Sequence, residues 1–205
     1  FGKVCTQLMS FFLLPLYTSI LTEEEYGIVD LVNTIVQLFL PIVTFQIEQS
    51  IFRFLVDSRK KEEETNEILS TSVIFTIISL IIYSIIYIII SGFISNQYKY
   101  YLLINLIATA LSSIFLQMAR GEGDNRTYAV GSFITALCTI LFNIYFIVVL
   151  KIGVYGMLLA SFISNIFCVL YIFIKKQAYR EIKLKYFKKE KLKKLLIQNK
   201  NRCFL

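Results

Sequence analysis

Histidine is absent from all 205 residues of the chain. That removes the side chain that titrates near neutral pH, a common metal ligand and the base of a serine–histidine nucleophile. Cysteine is sparse. Cys5, Cys138, Cys168 and Cys203 show neither metal-ligand nor redox spacing, and three of them fall in apolar runs, where cysteine acts as a small hydrophobe. Gly121 and Gly123 in "RGEGDNR" lack the Gly-Lys-Ser/Thr ending of a phosphate loop and read as a plain turn. The acids of "TEEEYG" read as an exposed loop running into a helix N-terminus. Charged residues make up only 17% of the chain, and no carboxylate pair is placed for acid–base work. No catalytic residue, metal or cofactor is expected, and these deficits argue against an enzyme.

What the chain has instead is apolar length. Hydrophobic residues reach 57%, and the mean hydropathy of +0.67 lies far above soluble norms. Six runs are long enough to cross about 30 Å of hydrocarbon: 4–21, 27–50, 68–90, 100–119, 129–150 and 154–174. Lipid offers no partners for backbone N–H and C=O groups, so each run must be helical. The first run leads into further spans without a cleavage motif, so it is expected to persist as a span. The chain opens on Phe1 with that span almost at once, so further residues are expected ahead of it. The expected class is an all-α integral membrane protein: a six-helix transmembrane bundle over 1–175, then a basic amphipathic tail over 176–205.

Basic residues set orientation. Arg59, Lys60, Lys61, Arg120 and Arg126 occupy the second and fourth loops, and 12 of the 21 Lys and Arg residues lie from Lys175 onward. Both termini are therefore expected in the cytoplasm. The net charge of +7 resides mostly in the tail. There "KLKYFKKEKLKKLLIQNK" sets Leu184, Phe187, Leu192 and Leu195 on one helical side among lysines, which suits a helix lying on an anionic leaflet. A solvated linker accounts for the same pattern equally well. Nucleic acid is not an expected partner.

Several spans carry polar residues in register. At about 100° per residue, Asp30, Asn33, Thr34, Gln37, Pro41, Thr44 and Glu48 share one sector of the second span. An ionised carboxylate in hydrocarbon costs about 2.5–3.5 kcal/mol. Asp30 and Glu48 lie near the two interfaces and are partly relieved, whereas Gln37 lies near the middle. Such a ribbon is expected to line a water- or substrate-filled cavity, with Pro41 adding a kink. Related groups are Asn105, Thr109, Ser112, Ser113, Gln117 and Arg120 in the fourth span, and Ser132, Thr135, Thr139 and Asn143 in the fifth. Ser72, Thr76, Ser79 and Tyr83 line up in the third, and Gln7, Ser10 and Tyr17 more weakly in the first. Hydrogen bonding between packed helices accounts for the third and fifth. Gln46, Gln49 and Arg53 point to another side, where Arg53 is expected to pair with Glu48 or Asp57 or to reach lipid phosphates. Gly156, Ala160 and Ser164, four residues apart, form a small-residue packing face.

Two stretches carry a family resemblance. "FFLLPLYTSILTEEEYGIVDLVNTIVQLFLPIVTFQIEQSIFRF" resembles the first two helices of the polysaccharide biosynthesis proteins, the oligosaccharide flippases of the multidrug/oligosaccharidyl-lipid/polysaccharide exporter superfamily. "RGEGDNRTYAVGSFITALCTILFNIYFIVVLKIGVYGMLLASFISN" is similar to the fourth loop and the fifth and sixth helices of the same family. The resemblance covers nearly all of 3–175. It implies a bacterial inner-membrane transporter that flips undecaprenyl-linked oligosaccharide units by alternating access between two six-helix lobes. This sequence supplies the N-terminal one, as a half, a truncated reading frame or a half-size form; a second lobe or partner subunit is implied. On that reading Asp30, Asn33, Gln37 and Glu48 face the sugar head group, Arg53 and Arg120 meet the pyrophosphate, and Asn143 belongs to the same substrate cavity. Membrane lipids are the other partners. The alternatives are a multidrug-type exporter of the same superfamily and a non-transporting membrane scaffold.

Overall fold

The computed structural model describes residues 15, 17, 19–58, 61–93, 96–178 and 182–200. Most of the first expected span lies outside the described residues, together with Gln7, Ser10, Cys5, Cys203 and the side chain of Leu184. Pro15, Tyr17, Ser19 and Ile20 are helical. The regular elements that follow are α1 (Glu23–Thr44), α2 (Ile47–Ser58), α3 (Glu62–Ser91), α4 (Lys99–Gly121), α5 (Asn125–Asn143), α6 (Gly153–Lys175) and α7 (Lys189–Lys200). Among the described residues, five helical stretches are long and apolar enough to cross a membrane: α1, α3, α4, α6, and α5 extended through Val149. They correspond to the second through sixth expected runs. The chain is a multi-pass membrane protein.

Local chemistry explains where the helices start. Thr22 accepts the Glu25 backbone N–H at 3.2 Å, and Glu25 Oε2 accepts the Thr22 N–H at 2.9 Å. This reciprocal box satisfies two donors that the first turn would otherwise orphan, and three acids in that turn face the positive end of the helix dipole. Asp124 caps α5 in the same way, accepting the Thr127 N–H at 3.0 Å.

The second expected run, 27–50, is not one helix. It breaks after Thr44, where Phe45 and Gln46 both adopt left-handed backbone with φ 52°. Each such residue costs roughly 1–3 kcal/mol, so surrounding contacts must hold the break. The Thr44 hydroxyl spans it, lying 2.9 Å from both the Leu40 carbonyl oxygen and Glu48 Oε2, with one proton for either. Beyond the break, Ile47, Ile51 and Leu55 form a fully buried stripe along α2. Gly121 lets α4 approach: a Cβ there would meet Leu55 Cβ at 2.8 Å. The polar ribbon from Asp30 to Glu48 is therefore bent and divided between two helices, a correction to the single face expected from periodicity.

The tail packs on the bundle, which the solvated-linker reading does not describe. A 3₁₀ turn, Leu184–Tyr186, precedes α7, and both contact the bundle. The Lys183 and Lys188 backbone N–H groups donate to Ser70 and Thr71 hydroxyls at 3.1 Å. Ser50 donates to the Leu195 carbonyl at 3.0 Å, and Leu195 is buried in a core with Ile47, Leu69 and Met118. Lys188 pairs with Glu67 and Lys191 with Glu64. The physical reason is reciprocal: α2 and α3 present hydroxyls, acids and an apolar seat that the tail's N–H groups, lysines and leucine satisfy.

Three apolar clusters stack along the bundle. One sits under the tail, a second joins Val36, Val43, Leu80 and Leu106, and the third joins Tyr17, Val29, Val32, Ile147 and Leu158 at the opposite end. α6 closes on the end of α5 through Gly156, whose added Cβ would meet Phe146 Cβ at 2.8 Å; Ala160 and Ser164 are fully buried on the same face.

Candidate substrate cavity

The third cluster borders a polar cavity of about 220 Å³. Its lining comes from four segments: Tyr17, then Tyr26, Val29, Asp30 and Asn33 of α1, Thr139 and Asn143 of α5, and Met157 and Ser161 of α6. The Tyr17 and Tyr26 rings flank it with centroids 6.1 Å apart. Asn143 is 2% exposed and donates from Nδ2 to the Tyr17 hydroxyl at 2.8 Å. Its other amide atom, Oδ1, is buried and has no hydrogen-bond partner among the described residues. An unpaired buried acceptor costs about 1–3 kcal/mol, so this carbonyl favours any donor that enters. Asn143 is also the last α-helical residue before the π-helical stretch Ile144–Val149, an irregularity frequent at functional positions.

Of the seven residues expected at the site, the cavity gathers Asp30, Asn33 and Asn143. Gln37 lies farther along α1 and is exposed. Glu48 sits past the break, tied to Thr44. Arg53 is an exposed residue of α2. Arg120 ends α4 with its guanidinium 4.5 Å from the Phe52 ring centroid and 5.7 Å from that of Tyr128. These two arginines lie at the tail end of the bundle, far along the helices from Asn143. The cavity thus occupies one end of the expected ribbon.

Tyr26 and Ser161 are the polar cavity residues that periodicity did not single out. The signal for Ser161 was Asn165 one turn later, a polar pair in an otherwise apolar helix. Most remaining polar groups in the spans are spent on packing. Thr76, Ser132, Thr135 and Thr139 return their hydroxyls to carbonyls four residues back. Asn105 donates across to the Leu158 carbonyl at 3.1 Å, and Ser112 to Asn165 Oδ1 at 2.5 Å.

Comparison with known proteins matches these features to a family. The family model described as "Polysaccharide biosynthesis protein" matches residues 1–204. Two solved structures share the fold. One is an outward-facing multidrug resistance MATE family transporter of the MOP superfamily, with TM-score 0.72 and 20% identity over 95% of this chain. The other is a crystal structure of a MATE point mutant, with TM-score 0.70 and 19% identity over 95% of this chain. This chain spans 48% of the length of each. No curated protein sequence matches it significantly. The chain belongs to the polysaccharide biosynthesis protein family.

Proposed function

We propose that the chain is the N-terminal lobe of a flippase that moves undecaprenyl-linked oligosaccharide units across the bacterial inner membrane for polysaccharide assembly. The observation that supports this reading is the cavity's chemistry. An amide oxygen with no partner among the described residues, a carboxylate and a second amide converge between two tyrosine rings. Sugar hydroxyls are donors that suit such acceptors, and sugar C–H faces suit aromatic walls. Asp30, Asn33 and Asn143 bind the head group here, and Gln37 extends the path along α1. Glu48, Arg53 and Arg120 serve the tail-side mouth, where arginine suits a pyrophosphate. A second six-helix lobe completes the cavity, and alternating access proceeds between the two. In a full-length background, Asn143→Ala and Asp30→Asn are expected to lower surface polymer roughly tenfold, one lost hydrogen bond each, and to accumulate the lipid-linked unit. Unchanged export in both variants rejects the reading.

The likeness of fold to MATE transporters favours a second reading, a cation-driven exporter of small molecules. It predicts dye efflux that depends on an ion gradient, with surface polymer untouched by deletion.

A further inference from the structure

A larger and quite different cleft lies on the opposite side of α1. It holds about 470 Å³, inside the range of ligand sites. Leu31, Ile35 and Phe39 of α1 form one wall, Ile86 and Ile90 of α3 the other, and Leu102 of α4 the floor. The cleft lies between α1 and the far half of α3. The buried residues of α3 run from Glu67 to Leu80, the isoleucines from Ile81 to Ile90 are half exposed or more, and Ser91 is buried again at the end. Polar groups gather at one end only, around Asn96, Tyr98 and Lys99. That end is braced. The Tyr87 hydroxyl donates to the Lys99 carbonyl at 2.8 Å, and the Lys99 ammonium donates to the Ser91 carbonyl at 2.8 Å.

α1 therefore acts as a partition. One side presents Asp30 and Asn33 to the polar cavity, and the other presents a hydrocarbon wall crowned by a fixed positive charge. An open apolar cleft between membrane-crossing helices takes hydrocarbon, and an ammonium at its mouth favours an anionic head. We propose that the cleft holds the polyprenyl chain of the lipid carrier, with the carrier phosphate at Lys99 once it has passed from the tail-side arginines, and the sugar on the far side of α1. The assignment rests on the flippase reading for the identity of its ligand. Fatty acyl chains of ordinary phospholipids are the competing occupant.

Photo-crosslinking separates them. The purified full chain is reconstituted in phosphatidylcholine vesicles with a polyprenyl phosphate bearing a diazirine in its isoprenoid chain. Label is expected within 31–43 and 83–102. Unlabelled polyprenyl phosphate should displace it at roughly fivefold lower concentration than polyprenol, the worth of one lysine near a membrane surface. Lys99→Gln should erase that difference, Lys99→Arg should keep it, and Ile86→Trp should block labelling by filling the cleft. Even labelling of all helices, equal displacement by phosphatidylglycerol, or indifference to Lys99→Gln each overturns the proposal. Cleft labelling together with intact export in the Asn143→Ala and Asp30→Asn strains sinks the flippase reading alone. Lost export without cleft labelling sinks this inference alone.

Discussion

Lys176 shows how much a single residue can hold at the tail end of the bundle. Its ammonium lies 2.5 Å from Glu122 Oε2 and 3.6 Å from Asp124 Oδ2, joining the end of α6 to the turn between α4 and α5. Burial pushes the Glu122 carboxyl above its usual range, and Lys176 opposes that rise. Asp124 is held low, first by the Thr127 backbone N–H, then by the Thr127 hydroxyl. Their linkages run in opposite directions. Asp124 stabilises the fold above about pH 3.8, its ordinary value, and that contribution is lost as pH falls through its lower folded value. Glu122 favours the fold while protonated, and that contribution is lost as pH rises through its raised folded value. Lys176→Ala removes the cation that faces the largely buried Glu122 carboxyl, which should cost about 1–3 kcal/mol. Thermal unfolding in detergent should show that deficit shrinking in acid and largely disappearing in the Lys176→Ala/Glu122→Gln double variant. A deficit independent of pH would mean that Lys176 acts through packing alone. None of this was legible in the sequence, where Lys176 was one lysine among many: the pairing exists only because α6 returns to the turn after α4.

Among the elements, the docked tail is held by two kinds of contact with different strengths. Its ion pairs, Lys188 with Glu67 and Lys191 with Glu64, are partly exposed and screened by solvent, so they add little. Leu195 is buried at 1% exposure, and its truncation to alanine should cost about 2 kcal/mol or more. Limited trypsinolysis in the lysine-rich 183–194 distinguishes them. Leu195→Ala should speed cleavage roughly thirtyfold if cleavage follows undocking. Lys191→Met should change it by less than about fivefold. Salt at about 1 M, where screening reaches only 3 Å, should mimic the lysine variant and leave the leucine effect intact. Equal effects from both would mean that charge, not the apolar seat, docks the tail. The amphipathic pattern of α7 was visible in the sequence, but its partner was not. Backbone N–H groups of 183 and 188 meet hydroxyls of Ser70 and Thr71, a long-range match with no local signature. The break in the second run escaped for a related reason. Left-handed turns are usually announced by glycine, yet here Phe45 and Gln46 adopt them, and Pro41 marked the neighbourhood without marking the place.

At the scale of the molecule, the apolar runs and their order were legible because hydropathy over about 20 residues is set by the bilayer itself. The cavity was half legible, because helical period placed Asp30 and Asn33 together but could not bring Asn143 beside Tyr17. Orientation follows from where the structure collects charge. α1, α4 and α6 run in one direction, against α3 and α5, so Lys99 and Lys151 share one end of the bundle with the cavity and the mouth of the apolar cleft. Lys61, Arg120, Arg126 and the tail lysines share the other. By the excess of Lys and Arg on the cytoplasmic side, the tail end should face the cytoplasm and the Lys99 end the exterior. Single cysteines test this in intact cells, in a background with the four native cysteines replaced. Asn96→Cys should react with a membrane-impermeant maleimide at once, and Lys185→Cys only after permeabilisation. The reverse pattern would invert the proposed flippase, placing the Asn143 cavity and the proposed phosphate site at Lys99 on the side from which substrate is loaded.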